Sequence, residues 1–314
     1  MHINTIKDVM PRHIRIMLDR TSHKVIESVE EIRIRLNKPI IIRTHTAEFG
    51  LSEIGDCPIS KSYIATKQDL EGILKFISGF SLYAIEDEIR EGFITIQGGH
   101  RVGIVGKTVV ENKSIKTIRN ISAINIRVAR EVIGSSKNIV PYIFKNRRIC
   151  NTLIVSPPKC GKTTILRDII RNLSYGECLG ESFNIGLVDE RSEIAACFDG
   201  VPQNDIGIRT DVLDSCPKAY GITMLLRSMS PEVIAVDEIG KDEDYKALED
   251  ALVVGVSIIC TIHGVGLSDC LNKPRLKDMI DRKLFGRIVI LSNRPHVGSV
   301  EAILDVNNNF NTIG

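Results

Sequence analysis

The sequence predicts an α/β fold, in which a mostly parallel sheet follows a smaller α+β domain. Three observations predict it. The segment SPPKCGKTT, Ser156 to Thr164, sits between the apolar run TLIV and the helix-like stretch ILRDIIRNL. Downstream of it, continuous apolar runs alternate with helical patterns, as parallel strands covered on both faces do. Upstream, short runs alternate apolar and charged residues with the period of half-buried strands.

The elements follow in order. EEIRIRL alternates apolar and charged residues, and KPIIIRT reads as its partner, with NK as the turn. TKQDLEGILKFISGFSLYAIEDEI has helical spacing, with Leu70, Ile73, Leu74 and Ile77 on one face. EGFITIQ, GGHRVGIVGKTVV and SAINIRVA are a run of strands, with Gly98-Gly99 and ENKS as turns. This half, 1–147, reads as an α+β domain with an antiparallel sheet. The linker falls near PYIFKNRRICN, where Pro141 starts a short helix.

Residues 148–314 change grammar. TLIVS, NIGLVDE, EVIAVDE and SIICTIH read as strands. The GKTTILRDIIRNL, CPKAYGITMLLRSM and DEDYKALEDALVVG stretches read as the helices between them. FGRIVILSNRP and GSVEAILDV close the sheet as a hairpin, and the polar tail NNNFNTIG is expected to fray.

Composition excludes several classes. With 43% hydrophobic and 25% charged residues and a net charge of +2, the chain is globular and gives no overall electrostatic case for nucleic acid. The N-terminal stretch has no apolar core of signal-peptide length. The longest apolar run, ALVVGVSIICTI, is shorter than the about 20 residues that span a bilayer. A cytoplasmic protein without its own membrane span is expected. Basic runs such as RHIRIMLDR and KNRR read as solvated faces. The eight cysteines show no CxxC or zinc-type spacing and read as reduced thiols.

The chemistry sits at expected strand ends, where open α/β sheets hold ligands. In Ser156, Pro157, Pro158, Lys159, Cys160, Gly161, Lys162, Thr163 and Thr164, a turn leaving a strand opens a helix. Such a turn aims backbone N–H groups and the helix dipole at one spot. Lys162 is placed to reach the outer phosphates of a nucleotide, Thr163 to offer a hydroxyl to Mg²⁺, and Gly161 to let the backbone approach. The pattern GxxxxGK[ST] has Gly first, and here Ser156 stands there, followed by two prolines that fix φ. Cys160 either fills a loop position or has a thiol activated by its cationic neighbours.

EVIAVDE ends in Asp237-Glu238. These acids either hold Mg²⁺ and polarise water, or cap the helix that follows. Asp189-Glu190 ends a second strand with the same two readings, and His263 ends a third as a structural or a phosphate-side histidine. Phosphoryl transfer also calls for positive charge, often an arginine from another domain or subunit. Arg101, Arg119, Arg127, Arg130, Arg209 and Arg227 are the candidates, each alternatively an exposed strand charge.

The order SPPKCGKTT, LVDERSEIA, VIAVDEIG and CTIHG resembles the Walker A, Asp box, Walker B and His box of type II and type IV secretion ATPases. These are RecA-like hexameric motors. The resemblance implies a RecA-like P-loop ATPase core that uses ATP and Mg²⁺. It places roles on Lys162 and Thr163, on Asp189 and Glu190, on Glu238 and on His263. The Walker B element has Asp237 where those ATPases usually have Gly. A second resemblance covers nearly the full length. EEIRIRLNKPI, GGHRVGIVG, NIRVARE, the PPxCGKTT loop, VDERSEIAACFDGVPQNDIGIRTDVLD and SPEVIAVDEIG are similar to the AA family of stage III sporulation proteins. That implies an ATPase of the mother-cell cytoplasm, assembled as a homo-oligomeric ring, and membrane-protein partners in a channel between mother cell and forespore. The competing readings are a cytosolic RecA-like ATPase acting on nucleic acid and a nucleotide-dependent scaffold with little turnover.

Overall fold

The computed structural model describes residues 2–79, 85–111 and 114–314. The chain divides into two compact units, Met1–Arg130 and Glu131–Gly314.

Among the described residues the first unit holds seven strands: β1 Val29–Arg35, β2 Ile41–Thr44, β3 Glu48–Ser52, β4 Gly55–Cys57, β5 Phe93–Ile96, β6 His100–Glu111 and β7 Ser114–Arg127. They form one sheet in the order β4-β3-β2-β1-β7-β6-β5, every pairing antiparallel. Period-two alternation puts Ile32, Ile34, Val102, Ile104, Ile124 and Ile126 on the buried face. Helix Lys67–Ile77 packs Leu70 and Ile73 into the same core. Thr66 and Asp69 cap it reciprocally. The expected longer helix stops there, with Gly79 at φ +54, and a short helix Glu86–Glu91 follows. Residues 80–84 of that stretch, and Asn112 and Lys113 of the ENKS turn, lie outside the described residues.

Two differences from the expected pattern stand out here. RHIRIMLDR is mostly helix Arg12–Asp19, whose Ile14, Met17 and Leu18 line the core, so it is not merely a solvated basic face. Strands β3 and β4 were not anticipated, since EFGLS and GDC are too short and too glycine-rich to show a period.

The division between units falls before residue 131, earlier than the expected 147/148. Ile139, Val140 and Ile143 are fully buried in the second unit's core. Asp168 on the phosphate-loop helix accepts N–H bonds from Gly134 at 3.0 Å and Ser136 at 2.7 Å. Both contacts tie 131–147 to the second unit.

In the second unit β8 Phe144–Lys145 and β9 Arg148–Ile149 form a small hairpin. The main strands are β10 Thr152–Ser156, β11 Ile185–Asp189, β12 Thr210–Asp214, β13 Val233–Val236, β14 Ser257–His263, β15 Arg287–Ser292, β16 Ser299–Asp305 and β17 Asn311–Thr312. Their order is β12-β11-β13-β14-β10-β15-β16-β17. The first six are parallel, and β15–β16 is the expected antiparallel hairpin. Strands β10, β11 and β13 are buried at every position, as strands covered on both faces must be. The tail does not fray: β17 pairs with β16, and Ile313 and Gly314 bond to Ile303. Among the described residues no helix is long and apolar enough to cross a membrane.

Candidate active site

The site forms where β10, β13 and β14 end side by side. β10 lies next to β14, and β14 next to β13, so the phosphate loop, Asp237-Glu238 and His263 meet at one edge.

The loop 157–161 leaves β10 and enters helix Lys162–Tyr175 through Gly161 at φ +82. Among the described residues no side chain caps this helix. Its first N–H groups therefore point at the loop's concavity, the arrangement that attracts phosphate. The left-handed backbone of Gly161 favours glycine, and a Cβ there would sit tightly, 3.3 Å from Val297 Cγ1. Lys159 also adopts a left-handed conformation, at φ +62. Ser156, in the place of the first glycine, is fully buried and turns its hydroxyl to the Pro157 carbonyl at 2.9 Å. Cys160 is buried, with Sγ 3.6 Å from the Pro158 carbonyl, the loop-filling reading.

Lys162 Nζ donates to Glu238 Oε1 and lies 3.3 Å from His263 Nε2. His263 Nε2 is 2.8 Å from the same Glu238 oxygen. Arg191 Nη1 holds the other, Oε2, at 2.5 Å. Burial opposes ionisation of Glu238, but the bond from Lys162 and the charges of Lys162, Arg191 and His263 hold its carboxyl below the usual range. Glu238 itself sits at φ +53, a sparsely populated conformation of the kind stored at functional sites.

Beside this cluster Thr163 Oγ1 donates to Asp237 Oδ2 at 2.7 Å. A hydroxyl and a carboxylate side by side at a phosphate loop fit Mg²⁺, which takes one or two protein ligands and completes its shell with phosphates and water. Thr261 on β14 fixes both acids. Its hydroxyl donates to Asp237 Oδ1 and accepts the Glu238 N–H at 2.9 Å. The capping alternative for Asp237-Glu238 does not hold, because Asp244 accepts the N–H bonds of Gly240 at 3.1 Å and Lys241 at 3.0 Å instead.

The second acidic pair is used differently. Asp189 is buried and accepts the N–H groups of Glu193, Ile194 and Ala195, each at 2.9 Å. Burial pushes its carboxyl up, and these bonds act the other way. Asp189 thus shapes the loop after β11, and no helix follows for it to cap. Glu190 pairs with Lys218, a buried ammonium whose pKa burial pushes down, and lies 3.7 Å from Lys241.

The candidate arginines are placed as follows. Arg101 and Arg127 are opposite each other on β6 and β7, with Arg101 stacked 3.6 Å over Phe93 and Arg127 3.8 Å from Glu31. Arg119 also lies on β7, opposite Lys107. Arg130 bonds the Glu27 and Val29 carbonyls, and Arg209 the Ser174 carbonyl. Arg227 lies in the last turn of helix Lys218–Ser228. Arg191, which is not among these six, bonds Glu238. Thr261 was also missed. Aligning VIAVDE with IICTIH by strand register would have set it opposite Asp237.

The family model for "Sporulation stage III, protein AA" matches residues 2–310. The chain belongs to this family. It is 42% identical to Stage III sporulation protein AA of Bacillus subtilis (strain 168) over 98% of this chain and 96% of the relative. A more remote relative of the family member, Protein SEEDLING PLASTID DEVELOPMENT 1 of Arabidopsis thaliana, is 26% identical over 82% of this chain and 33% of its own length. Among solved structures, the ATPase DotB of Legionella pneumophila superposes with a TM-score of 0.56 at 17% identity, covering 88% of this chain and 74% of DotB. The pilus retraction motor PilT, solved with bound ADP, gives 0.56 at 15% identity over 85% of this chain and 75% of PilT. The family member therefore has the RecA-like fold of secretion ATPases, as the sequence predicts.

Proposed function

We propose that the chain hydrolyses ATP to ADP and phosphate and that this drives a secretion-like transmembrane complex between mother cell and forespore. The observation that supports the reading is the convergence of Lys162, Thr163, Asp237, Glu238 and His263 on the concave side of one phosphate loop.

In this reading the loop N–H groups and Lys162 hold the β- and γ-phosphates, while Thr163 and Asp237 hold Mg²⁺. Bound Mg²⁺ neutralises charge that develops on the phosphates. Glu238 accepts a proton from water as the water oxygen bonds to the γ-phosphorus. The bond from that phosphorus to the β-phosphate oxygen breaks, and ADP carries the electron pair away. His263, within reach of both Lys162 and Glu238, positions the γ-phosphate side. Asp189 and Glu190 support the loop that flanks Glu238. Arg101 or Arg127 of a neighbouring subunit, in a homo-oligomeric ring, adds positive charge. Membrane proteins of the channel are the proposed partners, with the ATPase in the mother-cell cytoplasm; nucleic acid is not a proposed partner.

Phosphate release by the purified chain tests this across protein concentrations. Turnover is expected to rise with assembly, to vanish in Lys162→Ala, and to fall by roughly 10²-fold or more in Glu238→Gln. Unchanged turnover in Glu238→Gln removes Glu238 from the mechanism. Nucleotide binding without phosphate release in any assembly state overturns hydrolysis altogether.

A further inference from the structure

We infer that Arg191 is an arginine the site supplies from its own loop: Glu238 holds it in this structure, and it passes to the γ-phosphate when ATP binds. This rests on the ATPase reading above and adds a residue that the motif comparison does not assign.

The loop that carries Arg191 is built as a firm base. Asp189 accepts three N–H groups from residues 193–195. Ser192 donates to Asp214 at 2.6 Å, which ties the loop to β12. Strand β11 is the parallel neighbour of β13, with Val188 opposite Val236, so residues 189–191 emerge beside 237–238. From this base the Arg191 side chain reaches across to Glu238 while remaining 62% exposed. A long arm on a fixed root can change partners without moving the backbone.

Charge supplies the reason for the exchange. One carboxylate, Glu238, faces the cations Lys162 and Arg191. Lys162 takes one of its oxygens, Oε1, and Arg191 the other, Oε2, so neither is open to water. ATP carries about four negative charges near neutral pH, and its phosphates compete for both cations. Transfer of Lys162 alone would leave Oε2 of Glu238 still bonded to Arg191. Transfer of Arg191 as well frees that oxygen for water and puts a planar, bidentate donor where transition-state charge grows. Two further cations, Lys218 and Arg167, are engaged elsewhere. Lys218 is held by Glu190, and Arg167 bonds the Glu193 and Ile194 carbonyls at 2.6 and 2.7 Å.

The ATP/ADP contrast separates this role from a purely structural one. In the full chain, Arg191→Ala is expected to leave affinity for a fluorescent ADP within about twofold. Affinity for a slowly hydrolysed ATP analogue falls about tenfold, and kcat falls roughly 10²-fold. Arg191→Lys restores part of the analogue affinity but less of kcat, since an ammonium lacks the bidentate fork. Equal losses for ADP and the ATP analogue overturn the inference, as does a lower kcat with an unchanged affinity ratio, which makes Arg191 only a support for Glu238. Unchanged kinetics overturn it too. Lys162→Ala and Glu238→Gln run alongside. If they leave turnover intact, the ATPase reading has failed; if they abolish it and Arg191→Ala does not, only the role of Arg191 has failed.

Discussion

At the scale of single residues, one buried hydroxyl sets the geometry of both acids. Thr261 is fully buried and bonds Asp237 and the Glu238 N–H together. Thr261→Val keeps the shape and removes the oxygen. Leaving those groups unpaired is expected to cost about 1–3 kcal/mol in urea unfolding. It should also lower kcat with little change in nucleotide affinity, because the phosphate loop is untouched. Measured stability and KM within error of the parent, with kcat unchanged, would refute the assigned role. The place of Lys162 and Thr163 at the start of the helix was legible in the sequence because adjacent residues make the loop. Thr261 and Arg191 were not, because their partners lie 24 and 47 positions away and meet them only through strand order.

At the scale of elements, the phosphate-loop helix is clamped from behind. Asp168 accepts bonds from Gly134, Ser136, Arg171 and Asn172. Burial raises the cost of its charge, but the Ser136 and Gly134 bonds and Arg171 prevail and hold its pKa below the usual value. A depressed acid pKa means the folded state binds the proton less tightly than the unfolded chain. The stabilisation is therefore complete above about pH 4 and is lost as pH falls through the lower folded value. Asp168→Ala is expected to cost about 3 kcal/mol at pH 7, since it leaves a buried arginine short of a partner. In urea titrations the gap between variant and parent should narrow toward pH 3. A gap independent of pH would mean that packing, not charge, is what the clamp contributes. The helix itself was plain from its apolar spacing. Strand β12 was not, because TDVLD is only half-buried throughout and carries two acids, so it lacks the apolar run that revealed its neighbours.

At the scale of the whole molecule, each unit has its own apolar core, one in Met1–Arg130 and two layers in Glu131–Gly314. The change from alternating to continuous apolar strands made the two-part architecture and the parallel sheet readable in the sequence. The exact division was not, because 131–139 has no periodicity and is placed by hydrogen bonds to Asp168. A fragment of residues 131–314 should therefore be more stable than one of 148–314. The shorter fragment loses Ile139, Val140 and Ile143, each worth about 1.5–3 kcal/mol when fully buried. Equal melting temperatures for the two would place 131–147 outside the cooperative unit. One last property belongs to the chain as a whole: it contains no Trp. The turn between β15 and β16 rests against Gly161, and its Val297 is 62% exposed. An indole introduced at Val297 would be the sole tryptophan fluorophore, standing at the rim of the phosphate loop. The fold thus offers a place for an optical gauge of whether that loop is filled, read from the light of one introduced side chain.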